Sequence, residues 1–198
     1  MGLTNHLVIF SKVPRMGLVK TRLAKQIGTV AAWAFARQGI IALSPIARDP
    51  RWRCWFAITP DKAIHQTKLW PRAHSYVTQG TGDLGDRMAR VIKSMPPGPV
   101  VIIGTDIPTI RPKHVADAFL ALGNHDTVFG PSKDGGYWLV GMRRRPAFKE
   151  IFKSIKWSSK NTLEETIGNL PIHWNHKFIE TLEDIDEAEA FNRWKESD

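Results

Sequence analysis

The chain contains one cysteine, Cys54, so no intrachain disulfide is possible. The surrounding W-R-C-W-F-A-I is a strand-like apolar run, which reads Cys54 as a small buried hydrophobe rather than a nucleophile. A zinc centre has equally little support, because His173 and His176 lack a Cys or acidic companion at ligand spacing. Long hydrophobic runs are absent too. Near the N-terminus only Leu7 to Phe10 precede Ser11-Lys12, too short for a signal peptide or a membrane span. The myristoylation pattern that Gly2 could open fails at His6, where Ser or Thr is required. These absences lead to the expectation of a cytoplasmic protein with no membrane partner. With no internal repeat or low-complexity tract, the 198 residues are expected to form one domain over residues 1–198.

Acidic residues are scarce and unevenly placed. The chain has 28 Lys and Arg against 19 Asp and Glu, a net charge of +9. Eight of the acids and two of the cations, Arg193 and Lys195, lie in residues 180–198, which leaves 26 cations against 11 acids in residues 1–179. A body that basic attracts polyanions, either nucleic acid or phosphorylated small molecules. The Arg143-Arg144-Arg145 run has no interleaved aromatic to stack on bases, and no helix-turn-helix, RNA-recognition or finger signature is present. Small phosphorylated ligands are therefore the expected partners.

The chain is organised around Pro99 to Pro108, P-V-V-I-I-G-T-D-I-P. Four consecutive β-branched residues, Val100 to Ile103, cannot alternate between core and water, so they read as a strand covered on both faces. Two residues past Gly104 stands Asp106, at the carboxyl end of the strand, where open α/β sheets bind their ligands. Further strands are expected at Leu7 to Phe10, Trp52 to Ile58, Ser75 to Thr78, Asp126 to Gly130, Tyr137 to Val140 and Ile172 to Trp174. Helices are expected from Val30 to about Ala47, ending or kinking near Pro45, from Pro60-Asp61 to about Trp70, from Leu84 through Ile92, and from Pro112 to about Leu122. Two more are expected at Phe148 to Ile155 and Thr162 to Ile167. A closing amphipathic helix carries Ile185, Ala188, Phe191 and Trp194, and Asp186 to Glu189 fits a capping box at its start. Alternation of strand and helix argues an α/β fold with a mainly parallel sheet. The two strands within Asp126 to Val140 leave no room for a crossover helix, so one of them should run antiparallel.

Three constellations could carry chemistry. The loop after the first strand, S-K-V-P-R-M-G-L-V-K-T-R, contains Gly17 and the cations Lys12, Arg15, Lys20 and Arg22. A glycine-containing strand-to-helix loop offers backbone N–H groups to phosphate, and its cations would surround a polyphosphate. It is neither a Walker pattern nor G-x-G-x-x-G, and it reads otherwise as a basic surface loop. The second is G-T-G-D-L-G-D, with Gly80, Gly82 and Gly85, which would let a backbone approach a flat ligand or would serve only as a connector. The third is a set of carboxylates: Asp106, Asp134 and the pair Asp184 and Asp186. Mg²⁺ takes one or two carboxylates and completes its shell with water and phosphate. Asp186 reads equally as the cap of the final helix.

K-V-P-R-M-G-L-V-K-T-R-L, G-D-L-G-D-R-M, G-T-D-I-P, G-P-S-K-D-G-G-Y-W-L-V-G, W-S-S and the late D-I-D occur in one order between about Leu7 and Phe191. In this the chain resembles the DUF2064 family, also labelled selenodomain-associated transferase or glycosyltransferase. The resemblance implies a three-layer α/β/α GT-A (SpsA-like, Rossmann-related) fold of the nucleotide-diphospho-sugar transferases, with a mixed, mainly parallel sheet. It implies kinship with the guanylyltransferases of the phospholactate and molybdopterin cofactor pathways. It places nucleotide phosphates on Lys12, Gly17, Lys20 and Arg22 and the base on Gly82, Asp83, Leu84 and Gly85. It puts Mg²⁺ or Mn²⁺ on Asp106, with Asp184 or Asp186 completing the site.

Two reactions fit that arrangement. In nucleotidyl transfer a small phosphorylated acceptor attacks the α-phosphorus of a nucleoside triphosphate and pyrophosphate leaves. Such chemistry needs positioning, charge neutralisation and a metal more than a side-chain nucleophile. Four cations in one loop suit a triphosphate better than a nucleotide sugar's diphosphate, with Lys20 and Arg22 as its catalytic cations. In glycosyl transfer the same metal would serve the diphosphate leaving group and Asp134 would act as acceptor base. A third, non-enzymatic reading is a regulatory protein that binds nucleotide or nucleic acid on its basic face.

Overall fold

The computed structural model describes residues 3–144 and 148–197; Gly2 and Arg145, named above, lie outside them. Seven strands form one sheet: β1 His6–Lys12, β2 Arg53–Thr59, β3 Ser75–Thr78, β4 Val100–Ile103, β5 Thr127–Pro131, β6 Tyr137–Met142 and β7 His176–Phe178. Their order is β3-β2-β1-β4-β6-β5-β7. All pairings are parallel except those of β6, which runs antiparallel to both β4 and β5. The chain thus builds outward from β1 to β3, then returns to lay β4 on the other side of β1. That reversal opens a crevice beyond the carboxyl ends of β1 and β4.

The four-residue apolar run behaves as its composition requires. Val101 and Ile103 enter one core with Leu7, Ile9, Phe56 and Val115, while Val100 and Ile102 enter the opposite core with Val8, Met88, Ile92 and Phe129. Both faces are dry, so no position on β4 is free to be polar. The helices are α1 Thr21–Ile27, α2 Thr29–Ala42, α3 Ser44–Ala47, α4 Leu84–Ser94, α5 Pro112–Ala121, α6 Thr162–Gly168 and α7 Ala188–Ser197. Residues of α2, α3 and α5 fill the first core, and α4 covers the second. A third, small cluster joins Leu23 of α1, Ala32 and Phe35 of α2, and Ile185, with Phe191 and Trp194 of α7 packed on it. The stretch Thr29–Ala47 has the length and apolarity of a membrane-crossing helix, with a mean hydropathy of 1.3. It is broken at Leu43, however, and its Phe35, Ile40, Leu43 and Ile46 are core residues.

Several expected elements differ. Phe148 to Ile155 is not helical. Ile151, Phe152 and Ile155 are buried, Ser154 takes a positive φ of 58°, and Asn169 Nδ2 donates to the carbonyls of Ile151 and Lys153. Side-chain anchoring there replaces a helical ladder. Pro60 to Trp70 forms two 3₁₀ turns, Asp61–Ala63 and Thr67–Leu69, instead of one helix. The last strand is not Ile172 to Trp174 but β7, four residues on. Ile172 is fully exposed, and Asn175 locks onto Asp126 through reciprocal backbone and side-chain bonds that set pairing to begin after it. The closing helix begins at Ala188, with the Glu187 carbonyl accepting from the Phe191 N–H, so Asp186 lies outside it.

Candidate functional site

The first loop leaves β1 with Lys12 exposed and Val13 donating its N–H to the Thr59 carbonyl at 2.9 Å. It is pinned again where Trp33 Nε1 donates to the Pro14 carbonyl at 2.7 Å. The loop ends at Lys20, which precedes α1 in the left-handed region, φ 48° and ψ 45°. A side chain in that region costs of order 1–3 kcal/mol and persists where the surroundings over-determine it. Here they do. The Lys20 side chain is only 5% exposed, and its ammonium lies 2.8 Å from Asp106 Oδ1 and 2.9 Å from Asp186 Oδ1. A third bond, at 2.8 Å, goes to the Ile185 carbonyl. An ammonium has three N–H donors, and all three are used.

Asp106 sits three residues beyond β4 with its side chain 60% exposed. Its carbonyl accepts from the Ile185 N–H at 3.2 Å, so the 184–186 segment is clipped to the β4 exit by backbone as well as by charge. Asp186 spends its other oxygen on Arg22 Nη2. Burial tends to lower the Lys20 pKa, but Asp106 and Asp186 outweigh it and the group is held above its ordinary value. Burial raises Asp184 above the ordinary carboxylate range, helped by the neighbouring Asp134 and Asp186.

A cavity of about 530 Å³ opens beyond the carboxyl ends of β1, β2 and β4. Lys12, Lys20, Thr21, Arg22, Asp106 and Asp186 line its polar part, while Phe10, Leu84, Met88 and Ile102 make apolar walls. A second cavity of about 450 Å³ adjoins it, lined by Ser132, Asp134, Trp157, Ser158, Lys160 and Asp184. The two share Arg22, Leu84, Gly104, Asp106, Tyr137, Trp138 and Asp186. Asp134 faces the second cavity from the β5–β6 turn, where Ser132 Oγ and the Gly136 N–H both donate to its Oδ1, at 2.5 and 2.9 Å. Its Oδ2 makes no hydrogen bond among the described residues. Burial pushes the Tyr137 phenol well above its ordinary pKa.

The structure therefore gathers Lys12, Lys20, Arg22, Asp106, Asp186, Asp184, Asp134 and Leu84 around two joined cavities. Gly17, Gly82, Asp83 and Gly85 line neither. Gly17 is exposed, and its φ of 76° turns the first loop. Asp83 caps α4, accepting from the Asp86 N–H at 2.9 Å while Asp86 answers at the Asp83 N–H. Gly85 lets α4 pack closely, since a Cβ there would stand 2.6 Å from the Phe152 carbonyl oxygen. Gln79, Tyr137 and Trp157 line the cavities; the last two lie in motifs quoted above, but none of the three was given a site role from sequence. For Gln79 the available signal was its place at the end of a strand, directly before the glycine-rich turn.

Asp106 and Asp186 offer hard oxygen donors that already converge on one cation, the Lys20 ammonium. No group of three or more His, Cys, Asp or Glu residues forms a complete metal cage among the described residues. Two carboxylates and no more suit Mg²⁺ or Mn²⁺, which usually complete their shell with water and substrate phosphate.

No curated protein matches the sequence. Among solved structures, one from Desulfovibrio desulfuricans G20, provisionally named a nucleotide-diphospho-sugar transferase, superposes with a TM-score of 0.87 at 25% identity. The match covers 98% of this chain and 88% of that one. The 4-diphosphocytidyl-2C-methyl-D-erythritol synthase of Anaerococcus prevotii DSM 20548 shares the fold, with a TM-score of 0.63, 13% identity, and 99% and 100% of the two chains covered. So does Rv0371c of Mycobacterium tuberculosis H37Rv, solved with manganese, with a TM-score of 0.58, 10% identity, and 99% and 100% covered. The model of a family described as an uncharacterized protein conserved in bacteria (DUF2064) matches residues 42–159, more than half the chain. By that match, and in agreement with its ordered motifs, the chain belongs to the DUF2064 family.

Proposed function

We propose that this protein is a nucleotide-dependent transferase, with the donor in the first cavity and the acceptor in the second. The observation that carries this reading is the shared wall: two cavities, each large enough for a small molecule, meet at Asp106, Asp186 and Arg22. A group passed between two bound molecules needs such a junction. The nucleotide-sugar transferase name of the D. desulfuricans structure supports the same class.

The reaction we favour is nucleotidyl transfer. An oxygen of a small phosphorylated acceptor bonds to the α-phosphorus, the α–β bridging P–O bond breaks, and pyrophosphate leaves with the electron pair. Lys12 and Arg22 neutralise the triphosphate, and Lys12 makes no ion pair among the described residues. Lys20 fixes the two acids at the junction and contributes its charge beside the transferred group. Asp106 and Asp186 would hold Mg²⁺ or Mn²⁺, which supplies further neutralisation at the phosphates when bound. The manganese complex of Rv0371c supports that choice of ion. Glycosyl transfer is the second reading, favoured by Asp134. One of its oxygens is pinned and the other is free at the second cavity, as a base for an acceptor hydroxyl requires.

Thermal-shift titration with nucleoside triphosphates and nucleotide sugars, each with and without Mg²⁺, tests the class. A ligand that binds only the folded state raises the melting temperature by mass action. Release of pyrophosphate identifies nucleotidyl transfer, and release of a nucleoside diphosphate identifies glycosyl transfer. No shift with any nucleotide refutes the reading.

A further inference from the structure

The W-S-S stretch opens one wall of the second cavity, and binding of the donor makes no use of it. Trp157, Ser158 and Lys160 line that cavity and not the first. The segment is tightly built. The Ser159 N–H donates to Thr162 Oγ1 at 3.3 Å, and Ser159 Oγ accepts from the Asn161 N–H at 3.2 Å. The Leu163 N–H donates to the Gly135 carbonyl at 3.1 Å, and a Cβ on Gly135 would stand 2.1 Å from the Lys160 carbonyl oxygen. Ser158 is held in the left-handed region at φ 59°, which persists where the surroundings over-determine it. Three donors are left over. Among the described residues, neither Ser158 Oγ nor Lys160 Nζ makes a hydrogen bond or an ion pair, and Trp157 Nε1 is buried without an acceptor.

The indole N–H says most about the occupant. A buried donor with no partner bears the full cost of its desolvation and is rare in native folds. The ring edge beside it meets α4 at Gly85, where a Cβ would stand 2.8 Å from Trp157 Cζ2, and glycine has no side chain to offer an acceptor. The cavity is the side from which an acceptor can come. Charge decides its kind. Asp106, Asp134, Asp184 and Asp186 also line this cavity and disfavour an anion beside them, while its other cation, Arg22, is taken by Asp186. Lys160 is exposed and unpaired, so negative charge settles best on the 157–160 wall. Resting on the transferase reading above, we infer that Trp157, Ser158 and Lys160 form an oxyanion subsite for the acceptor. This wall is not shared with the first cavity, so the group it holds is not the oxygen that attacks at the junction. The acceptor class is therefore a small molecule with two ends: a nucleophilic oxygen and a separate phosphoryl or carboxylate group.

Nuclear magnetic resonance of the isotope-labelled full chain tests this, with the Trp157 indole N–H assigned through its own backbone. Inorganic phosphate and acetate are titrated in separately, each against sodium chloride of equal ionic strength. The Trp157 signal should move saturably with at least one of them and not with chloride. A response to phosphate alone identifies the held group as phosphoryl, a response to acetate alone as carboxylate, and a response to both supports the subsite for either. Lys160→Met, at an exposed position, should weaken that response about tenfold or more and leave the thermal shift given by nucleotide unchanged. The titrations of the unaltered protein decide the matter even if the variant folds poorly. A Trp157 signal that ignores both anions, follows chloride equally, or responds as strongly in Lys160→Met would overturn the subsite while leaving nucleotide binding in place. An anion response with no thermal shift from any nucleotide would overturn the transferase reading, and with it the assignment of this subsite to an acceptor.

Discussion

Replacing Lys20 with methionine tests the centre of the site, because methionine keeps the aliphatic volume and removes only the charge and the donors. The cost can be assembled contact by contact. The pair with Asp106 counts as a surface ion pair, about 0–1 kcal/mol, since that carboxylate is 60% exposed and rehydrates freely. The bonds to Asp186, 27% exposed, and to the Ile185 carbonyl share one ammonium and are only partly shielded, so together they count as one charge-assisted contact of about 1.5–3 kcal/mol. The full penalty for breaking a buried pair, roughly 3–5 kcal/mol, is not reached because neither acid is stranded in the core. Lys20→Met should therefore cost about 2–4 kcal/mol. At a urea slope of about 2 kcal/mol/M, that lowers the unfolding midpoint by about 1–2 M. A cycle with Asp186→Asn sharpens the measurement. Once Asp186 is neutral, Lys20→Met no longer leaves a charge uncompensated, so the double variant should lose less than the two single losses combined. A Lys20→Met midpoint equal to the parent's, or strictly additive losses, would refute the reasoning.

Other substitutions probe separate parts of the fold and site. His6 is fully buried, and burial first, then the charges of Arg144, Arg53 and His74, lower its pKa despite a bond to the Pro97 carbonyl. The folded state thus resists protonation. Its contribution is complete above pH 6.5 and is lost as pH falls through the lowered folded value, by up to about 1.4 kcal/mol per pH unit. Urea titrations between pH 7.5 and 5 should show that slope, and His6→Gln should flatten it. Gly85→Ala should cost about 1–3 kcal/mol by calorimetry, because its methyl would meet the Phe152 carbonyl oxygen at 2.6 Å; an unchanged melting temperature would show that α4 can shift. Asp106→Asn should leave the melting temperature within a few degrees of the parent's. Enhancement of nucleotide binding by Mn²⁺, read by calorimetry, should disappear, and its persistence would remove Asp106 from the metal site.

What the sequence made legible was local. Val100 to Ile103 read as doubly covered because no residue in it could face water, and the two cores confirm it residue by residue. The antiparallel β6 followed from a connection too short for a helix. Chain regions whose conformation depends on distant partners were less legible. Phe148 to Ile155 carries apolar residues at a spacing that a helix could use, yet it is held open by Asn169 from beyond its own segment. The start of β7 depends on Asn175 meeting Asp126, 49 positions away. Glycines were ambiguous for a different reason. A glycine needed for close helix packing, such as Gly85, and one needed for a ligand to approach leave the same mark in a sequence.

The site itself shows why its parts could be named one at a time but not joined. Lys20 reaches Asp186 across 166 positions, and Arg22 reaches it across 164. Neither bond has any local sequence signature. What brings these residues together is apolar: Ile185 enters the small core of Leu23, Ala32 and Phe35, and Phe191 and Trp194 close over it. Phe35 meets both of those rings edge-on, with centroids 5.4 and 5.3 Å away. The residue that anchors the late segment is thus flanked by Asp184 and Asp186, so packing of Ile185 delivers both carboxylates to the junction of the cavities. Asp106 then fixes their register through its own backbone carbonyl. The late acids are placed by a hydrophobic contact, and the charges on Lys20 and Arg22 select the geometry once that contact has formed.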